Sequence, residues 1–215
     1  MNKKHSRISR DVTVIGLTGG SGAGKSIVSI TLRAFGIPVL DTDKVSRAVC
    51  EPGQPCLSAL CDHFGRQILN SDGTLNRKGL AAFVFGEPDP DCKAEKLHAL
   101  NTITHRYIME ACHEWIDARV QEGFHAVCID APQLFESGFD QECGKILTVT
   151  AEKETRIARI IARDFATREE AERRIAAQHD DAFFALHSDA VIENNGSPDE
   201  VAPKVEALLR DWGLL

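Results

Sequence analysis

No stretch of this chain approaches the roughly 20 apolar residues needed to cross a bilayer, so no membrane partner is expected. A basic surplus is also missing: 25 Lys and Arg stand against 32 Asp and Glu, for a formal net charge of -7. Proteins that hold nucleic acid by neutralising phosphates usually carry the opposite balance. A small anionic ligand gripped by a few local cations is therefore expected, and no nucleic acid. The seven cysteines (Cys50, Cys56, Cys61, Cys92, Cys112, Cys128 and Cys143) include no C-x-x-C, so neither a zinc ribbon nor a redox pair is indicated. Cys112 and Cys128 fall in apolar patterns and read as core residues, a usage that suits a reducing, cytoplasmic setting. The eight histidines show no H-E-x-x-H spacing. Residues 1–11 begin with MNKKHSRISR, which no apolar segment follows, so a frayed tail is expected and not a signal peptide.

At 215 residues the chain suits one α/β domain carrying an insertion. Val12 to Thr18 reads VTVIGLT, a β-branched run expected to be a buried parallel strand. A glycine-rich segment follows, then a helical pattern from about Lys25 to Phe35 and a short apolar run, Ile37 to Leu40, ending in Asp41. This order predicts a βαβ opening. Between Thr42 and Gly123 the patterns are helical, around Pro55 to Phe64, Arg77 to Phe85 and Lys93 to Gln121, separated by EPGQP and GEPDPD. Strand character returns at His125 to Ile129, Lys145 to Val149 and Ala190 to Ile192. A charged helical region lies over Glu152 to Ala185, and a last helix over Pro198 to Trp212. The expected fold is a three-layer α/β P-loop domain over residues 12–212. Its parallel-sheet core spans about 12–50 and 124–212, with a helical insertion over about 51–123 and a lid over about 152–186.

Gly19 to Ser26 reads GGSGAGKS, a full match to G-x-x-x-x-G-K-[ST]. Glycines let backbone N–H groups approach phosphate oxygens without Cβ clashes, and the following helix aims its positive end at the same anion. Gly20, Ser21, Gly22, Ala23, Gly24, Lys25, Ser26 and Ile27 are therefore the expected nucleotide-binding residues. Lys25 is placed to neutralise the β and γ phosphates, and the Ser26 hydroxyl to ligate Mg²⁺. A strand before the loop and a helix after it supply the context the motif requires. The loop alone specifies a nucleoside triphosphate and no particular reaction.

A guanine-selecting N-K-x-D is absent, which counts against a GTP-dependent switch. Asp41-Thr42-Asp43 follows the second strand, at the carboxyl edge where open α/β sheets bind ligands. A carboxylate there can accept the proton of an acceptor hydroxyl, and Asp43 is the candidate; one of the two aspartates can instead cap the next helix. Asp130 closes the strand VCID and is a candidate for the magnesium shell, or for capping the turn before Pro132. Arg156, Arg159 and Arg163 share a helical face, with Glu152 four residues before Arg156. They read either as a solvated face or as a lid that brings guanidinium groups onto phosphate.

The motifs in order are GLTGGSGAGKS, VLDTDKVSR, VCEPGQP, Phe64-Gly65, SDGTLNRKGLAAFVF, LNTITHRYI, DAPQLFE, the RIIARD of Arg159 to Asp164, RIAAQ at Arg174 to Gln178, and IENNGS. Together they resemble the dephospho-coenzyme A kinase family from about Val14 to Leu209. The resemblance implies ATP-dependent phosphorylation of the ribose 3′-hydroxyl of dephospho-coenzyme A, with Asp43 as base. It further implies that Arg47, Arg77 and His105 face the acceptor substrate, that Arg159 and Arg163 belong to the lid, and that the Asn194-Asn195-Gly196 turn lies near the adenine, with Asn195 as the candidate. Arg106, Gln133 and Arg156 depart from the family's frequent proline, leucine and glutamine. The rival readings are a kinase for another small molecule, such as a nucleoside, and a nucleotide-binding regulator without turnover. A monomer or small homo-oligomer is expected.

Overall fold

The computed structural model describes residues 12–215; the tail expected over residues 1–11 lies outside them. The strands are β1 (Thr13–Thr18), β2 (Val39–Asp41), β3 (Ala126–Asp130), β4 (Lys145–Thr150) and β5 (Ala190–Glu193). They form a five-stranded parallel sheet in the order β2-β3-β1-β4-β5. The helices are α1 (Lys25–Ala34), α2 (Thr42–Ala48), α3 (Pro55–Phe64), α4 (Arg77–Phe85), α5 (Pro90–Gln121), α6 (Lys153–Asp164), α7 (Arg168–Ala176), α8 (Asp181–His187) and α9 (Val201–Asp211). β3 and β4 are successive in the chain yet flank β1. The order therefore reverses beside the central strand, opening a crevice at its carboxyl end.

The described residues divide into two compact units, 12–41 with 115–215, and 42–114. In the sheet unit, Ile15, Leu17, Leu147 and Val149 pack with Val28 and Leu32 of α1 and with Val201, Val205 and Leu209 of α9. Each such side chain, once buried, contributes about 1.5–3 kcal/mol. Strand residues alternate faces, so Thr148 points to the other side, where its hydroxyl meets the Ser188 hydroxyl at 2.7 Å just after α8. Every strand expected from sequence forms, with ends shifted by up to two residues.

In the helical unit, Cys50, Cys56, Leu60, Phe64, Ile68, Leu80 and Val84 form a core against Leu97, Leu100, Ile103 and Tyr107 of α5. Pro55 starts α3 at its first turn, and the Asn76 side chain caps α4 by accepting from the Gly79 N–H at 2.8 Å. Helix α2 was not read from the sequence; it is seven residues long and buries only Val45, too little for a periodic signal. The division falls at residues 42 and 114, where the sequence suggested 51 and 123. Asp43 and Arg47 therefore belong to the helical unit, and α5 from Trp115 onward belongs to the sheet unit.

The charged region after β4 is three helices. Phe165 stops α6 in a left-handed conformation, φ 53, and Thr167 with Glu170 forms a reciprocal capping box that starts α7.

Candidate active site

The phosphate loop connects β1 to α1, so it opens at the carboxyl end of the central strand. Gly24 caps α1 in a left-handed conformation, φ 92, and Gly22 has φ 78. Both glycines also make room: a Cβ on Gly24 would stand 2.2 Å from Asn194 Nδ2, and one on Gly22 would stand 2.5 Å from the Arg156 carbonyl oxygen. The motif thus serves close approach on its outer side as well as on the side facing the crevice.

Three successive carbonyls of the loop are held from that outer side. Arg156 Nε donates to the Ser21 oxygen at 3.0 Å. Arg159 Nη1 lies 3.4 Å from the Gly22 oxygen and 3.3 Å from the Ala23 oxygen. Asn194 Nδ2 donates to the Ala23 oxygen at 2.9 Å. Gln178 Oε1 accepts from the Ser21 N–H at 2.8 Å and from Arg156 Nη2 at 3.3 Å. None of the described peptide bonds is cis, and in a trans peptide the C=O and N–H point in opposite directions. Side chains that pull on the Ser21 and Ala23 carbonyls therefore turn the Gly22 and Gly24 N–H groups away from themselves.

Arg156 is only 6% exposed, so its guanidinium is part of the interior and not of a solvated face. Burial lowers its pKa, and Asp181, 3.8 Å away, opposes that effect. The pairing with Glu152 suggested by sequence spacing is replaced by this network. Lys25 Nζ donates to the Gly19 carbonyl at 2.8 Å, which holds the ammonium at the mouth of the loop. Asp130 ends β3 beside Leu17 of β1, and its Oδ2 accepts from the buried Ser29 hydroxyl at 2.5 Å. Ser26 is exposed in the first turn of α1.

The other expected residues are placed as follows. Arg163 is exposed and forms a two-pronged pair with Asp164, at 2.8 and 2.9 Å, while Arg174 reaches the same carboxylate at 2.6 Å. The Asp164 pKa is lowered to about 2, first by the Arg163 hydrogen bond and then by Arg174. Arg163 thus has a counter-charge in Asp164, and Arg159 takes loop carbonyls, so these two guanidinium groups, four residues apart, each have a partner of their own. Asn195 Oδ1 accepts from the Glu152 N–H at 2.7 Å at the start of α6, so its neighbour Asn194 is the one that touches the loop. In the helical unit, Asp43 and Arg47 lie one turn apart on α2, both exposed, and Arg77 Nη2 lies 3.4 Å from the Arg47 carbonyl. His105 is half-buried on α5. Arg106 pairs with Glu110 at 3.1 Å and Gln133 is exposed, so both departures sit without disturbing a core.

The sequence singles out neither Gln178 nor Ser29, and it names Asn194 only as a member of the turn in which Asn195 is the candidate. Gln178 and Asn194 lie within quoted motifs, RIAAQ and IENN, which was the available signal. Ser29 had none.

A glycine loop at the centre of a parallel sheet, with arginines from the helix after β4 braced on it, defines a P-loop nucleotide-binding protein of the small-molecule kinase class. The same architecture is seen in shikimate kinase from Acinetobacter baumannii, with a TM-score of 0.51 and 16% identity over 95% of this chain and 96% of that one, a likeness of fold alone.

The chain belongs to the dephospho-CoA kinase family, whose model matches residues 13–200. The dephospho-CoA kinase of Shouchella clausii is 38% identical over 191 residues, 89% of this chain and 94% of its own length. That of Corynebacterium efficiens is 37% identical over 197 residues, 92% and 96% of the two chains. Among solved structures, TT1252 from Thermus thermophilus has a TM-score of 0.76 and 30% identity over 94% of this chain and 98% of its own.

Proposed function

We propose that this chain transfers the γ-phosphoryl group of ATP to the ribose 3′-hydroxyl of dephospho-coenzyme A, giving coenzyme A and ADP, the last step of coenzyme A biosynthesis. Family membership over nearly the whole chain supports the reaction. The observation that carries it to this molecule is the loop whose Ser21, Gly22 and Ala23 carbonyls are all held from behind.

In this reading the N–H groups of the Gly20 to Ile27 segment bind the phosphates, aided by the amino end of α1. Lys25 leaves the Gly19 carbonyl for the β and γ oxygens, where its charge offsets the negative charge that grows as the bond to the leaving ADP breaks. Arg163 and Asn195 complete the ATP site from the lid and the turn after β5, and Arg159 serves it from behind, through the Gly22 and Ala23 carbonyls. The acceptor hydroxyl gives its proton to Asp43 as its oxygen forms the new bond to phosphorus. Arg47, Arg77 and His105 hold the acceptor, with Arg77 and Arg47 already joined through a backbone carbonyl.

The oxygen donors available near the loop, the Ser26 hydroxyl and the Asp130 carboxylate, are hard ligands that fit Mg²⁺. Bound magnesium supplies charge neutralisation of the β and γ phosphates. Ser29 would orient the Asp130 carboxylate for that role.

Release of ADP should be measured with ATP and magnesium in the presence of dephospho-coenzyme A, nucleosides or pantothenate. Turnover with dephospho-coenzyme A alone is expected; turnover only with a nucleoside, or with none of the three, would overturn the reading.

A further inference from the structure

Arg156 lies outside the chemistry assigned above, yet it makes an unusual set of contacts for a charged residue that is only 6% exposed. Its Nε holds the Ser21 carbonyl at 3.0 Å, and its Nη2 holds Gln178 Oε1, which in turn accepts from the Ser21 N–H at 2.8 Å. Both peptide planes that flank Ser21 are thereby tied to one guanidinium. Because a trans peptide is planar, the hold on the Ser21 carbonyl sets the direction of the Gly22 N–H. The fit is reciprocal. A Cβ on Gly20 would stand 2.1 Å from Arg156 Nη2, and one on Gly22 would meet the Arg156 main chain, so neither position has room for a side chain beside Arg156 as it is placed.

We propose that Arg156, acting with Gln178, is a positioning residue for phosphate recognition: it aims the Gly22 N–H at the phosphate chain without touching nucleotide itself. The planar, five-donor guanidinium suits this task, since one group can reach a backbone carbonyl and a side-chain amide at once. A lysine carries the same charge as a point donor and cannot fork in this way. A glutamine at this position can supply one bond of the two and no charge. The proposal rests on the reading of the chain as an ATP-dependent kinase and adds a residue that determines how the loop is held.

The test compares direct binding of ADP and AMP, by calorimetry, to the unsubstituted chain and to Arg156→Gln, Arg156→Lys, Gly20→Ala and the Gly20→Ala/Arg156→Gln double variant. AMP lacks the β-phosphate that the loop grips, so loss of aim should be specific to ADP. Arg156→Gln is expected to weaken ADP about tenfold, as for a lost hydrogen bond to a charged group, and AMP by less than about twofold. Arg156→Lys should fail to rescue, which separates geometry from charge. Gly20 does not adopt a left-handed φ, so its backbone accepts alanine, and the new methyl would displace the guanidinium without altering Arg156. Gly20→Ala is therefore expected to mimic Arg156→Gln, and the double variant to bind ADP no worse than either single one. Equal weakening of ADP and AMP, no weakening, full rescue by lysine, or additive losses would overturn the proposal. If Arg156→Gln does not fold, Arg156→Lys decides it, by whether ADP is lost selectively. An unsubstituted chain that binds no ADP would overturn the parent reading, whereas these other results would leave that reading standing.

Discussion

The side-chain amide of Asn194, in the turn after the last strand, donates to the Ala23 carbonyl at 2.9 Å across 171 residues of sequence. The contact is buried, and Asn194 is itself 5% exposed. It ties the carboxyl end of β5 to the phosphate loop and stands where a Cβ on Gly24 would otherwise fit.

Among the described residues, Asn194→Ala leaves the Ala23 carbonyl the longer Arg159 contact at 3.3 Å. A cost of about 1–3 kcal/mol is expected for an under-satisfied buried group. For a chain of this size that corresponds to a melting temperature lower by about 2–4 °C per kcal/mol. Calorimetric melting checks it; an unchanged transition would mean that Arg159 suffices to hold the carbonyl.

Lys25→Ala should affect chemistry and spare folding. Its ammonium donates a partly buried bond to the Gly19 carbonyl, and a bond of that kind is worth about 1 kcal/mol net. In turnover the loss of a preorganised charge should lower kcat about 10²–10³-fold. Steady-state kinetics beside a melting curve separate the two effects, and unchanged kcat would remove Lys25 from the phosphate site.

Asp43→Asn tests the proton acceptor. The proposed role of Asp43 as general base predicts a kcat lower by about 10²–10⁴-fold. Asparagine preserves the size of the side chain but cannot take the proton. A rise in KM for dephospho-coenzyme A with kcat maintained would make Asp43 a binding residue only.

The Arg163–Asp164–Arg174 cluster predicts a pH signature. The Asp164 pKa is depressed from its ordinary 3.8 to about 2, first by the Arg163 hydrogen bond and then by Arg174. A carboxyl lowered in this way stabilises the fold fully above its unfolded value and loses that contribution as pH falls through its folded value. The melting-temperature difference between the unsubstituted chain and Asp164→Asn should therefore be constant from pH 7 to about 5. It should shrink between about pH 4 and pH 2. A difference that stays constant to pH 2 would contradict the pairing.

For the lid, Arg163→Ala is expected to lower kcat/KM for ATP, since the reading moves Arg163 from Asp164 toward the phosphates on closure. Kinetics identical to the unsubstituted chain would leave Arg163 as a partner of Asp164 only.

Much of the architecture was legible from local pattern. VTVIGLT had to be a buried strand, and Pro55 to Phe64 and Arg77 to Phe85 form helices with the ends their turn residues suggested. Helix α2 escaped because one buried valine makes no period. The single charged region after β4 is three helices, because Phe165 adopts a left-handed φ that its side chain does not advertise.

By itself the sequence determined the phosphate loop, since the residues that shape it are contiguous and their requirement for glycine, lysine and serine is local. It likewise determined that parallel strands alternate with helices and that a helical segment interrupts them. Tertiary structure alone decided that Asn194 and not Asn195 reaches the loop, that Arg156 is interior while Arg163 is exposed, and that Ser29 holds Asp130. Spacing says which residues share a face of one element. Which face meets the loop depends on how β5 lies beside β4 and how α6 crosses back to Gly20 and Gly22, contacts that span more than a hundred residues and leave no trace in local periodicity.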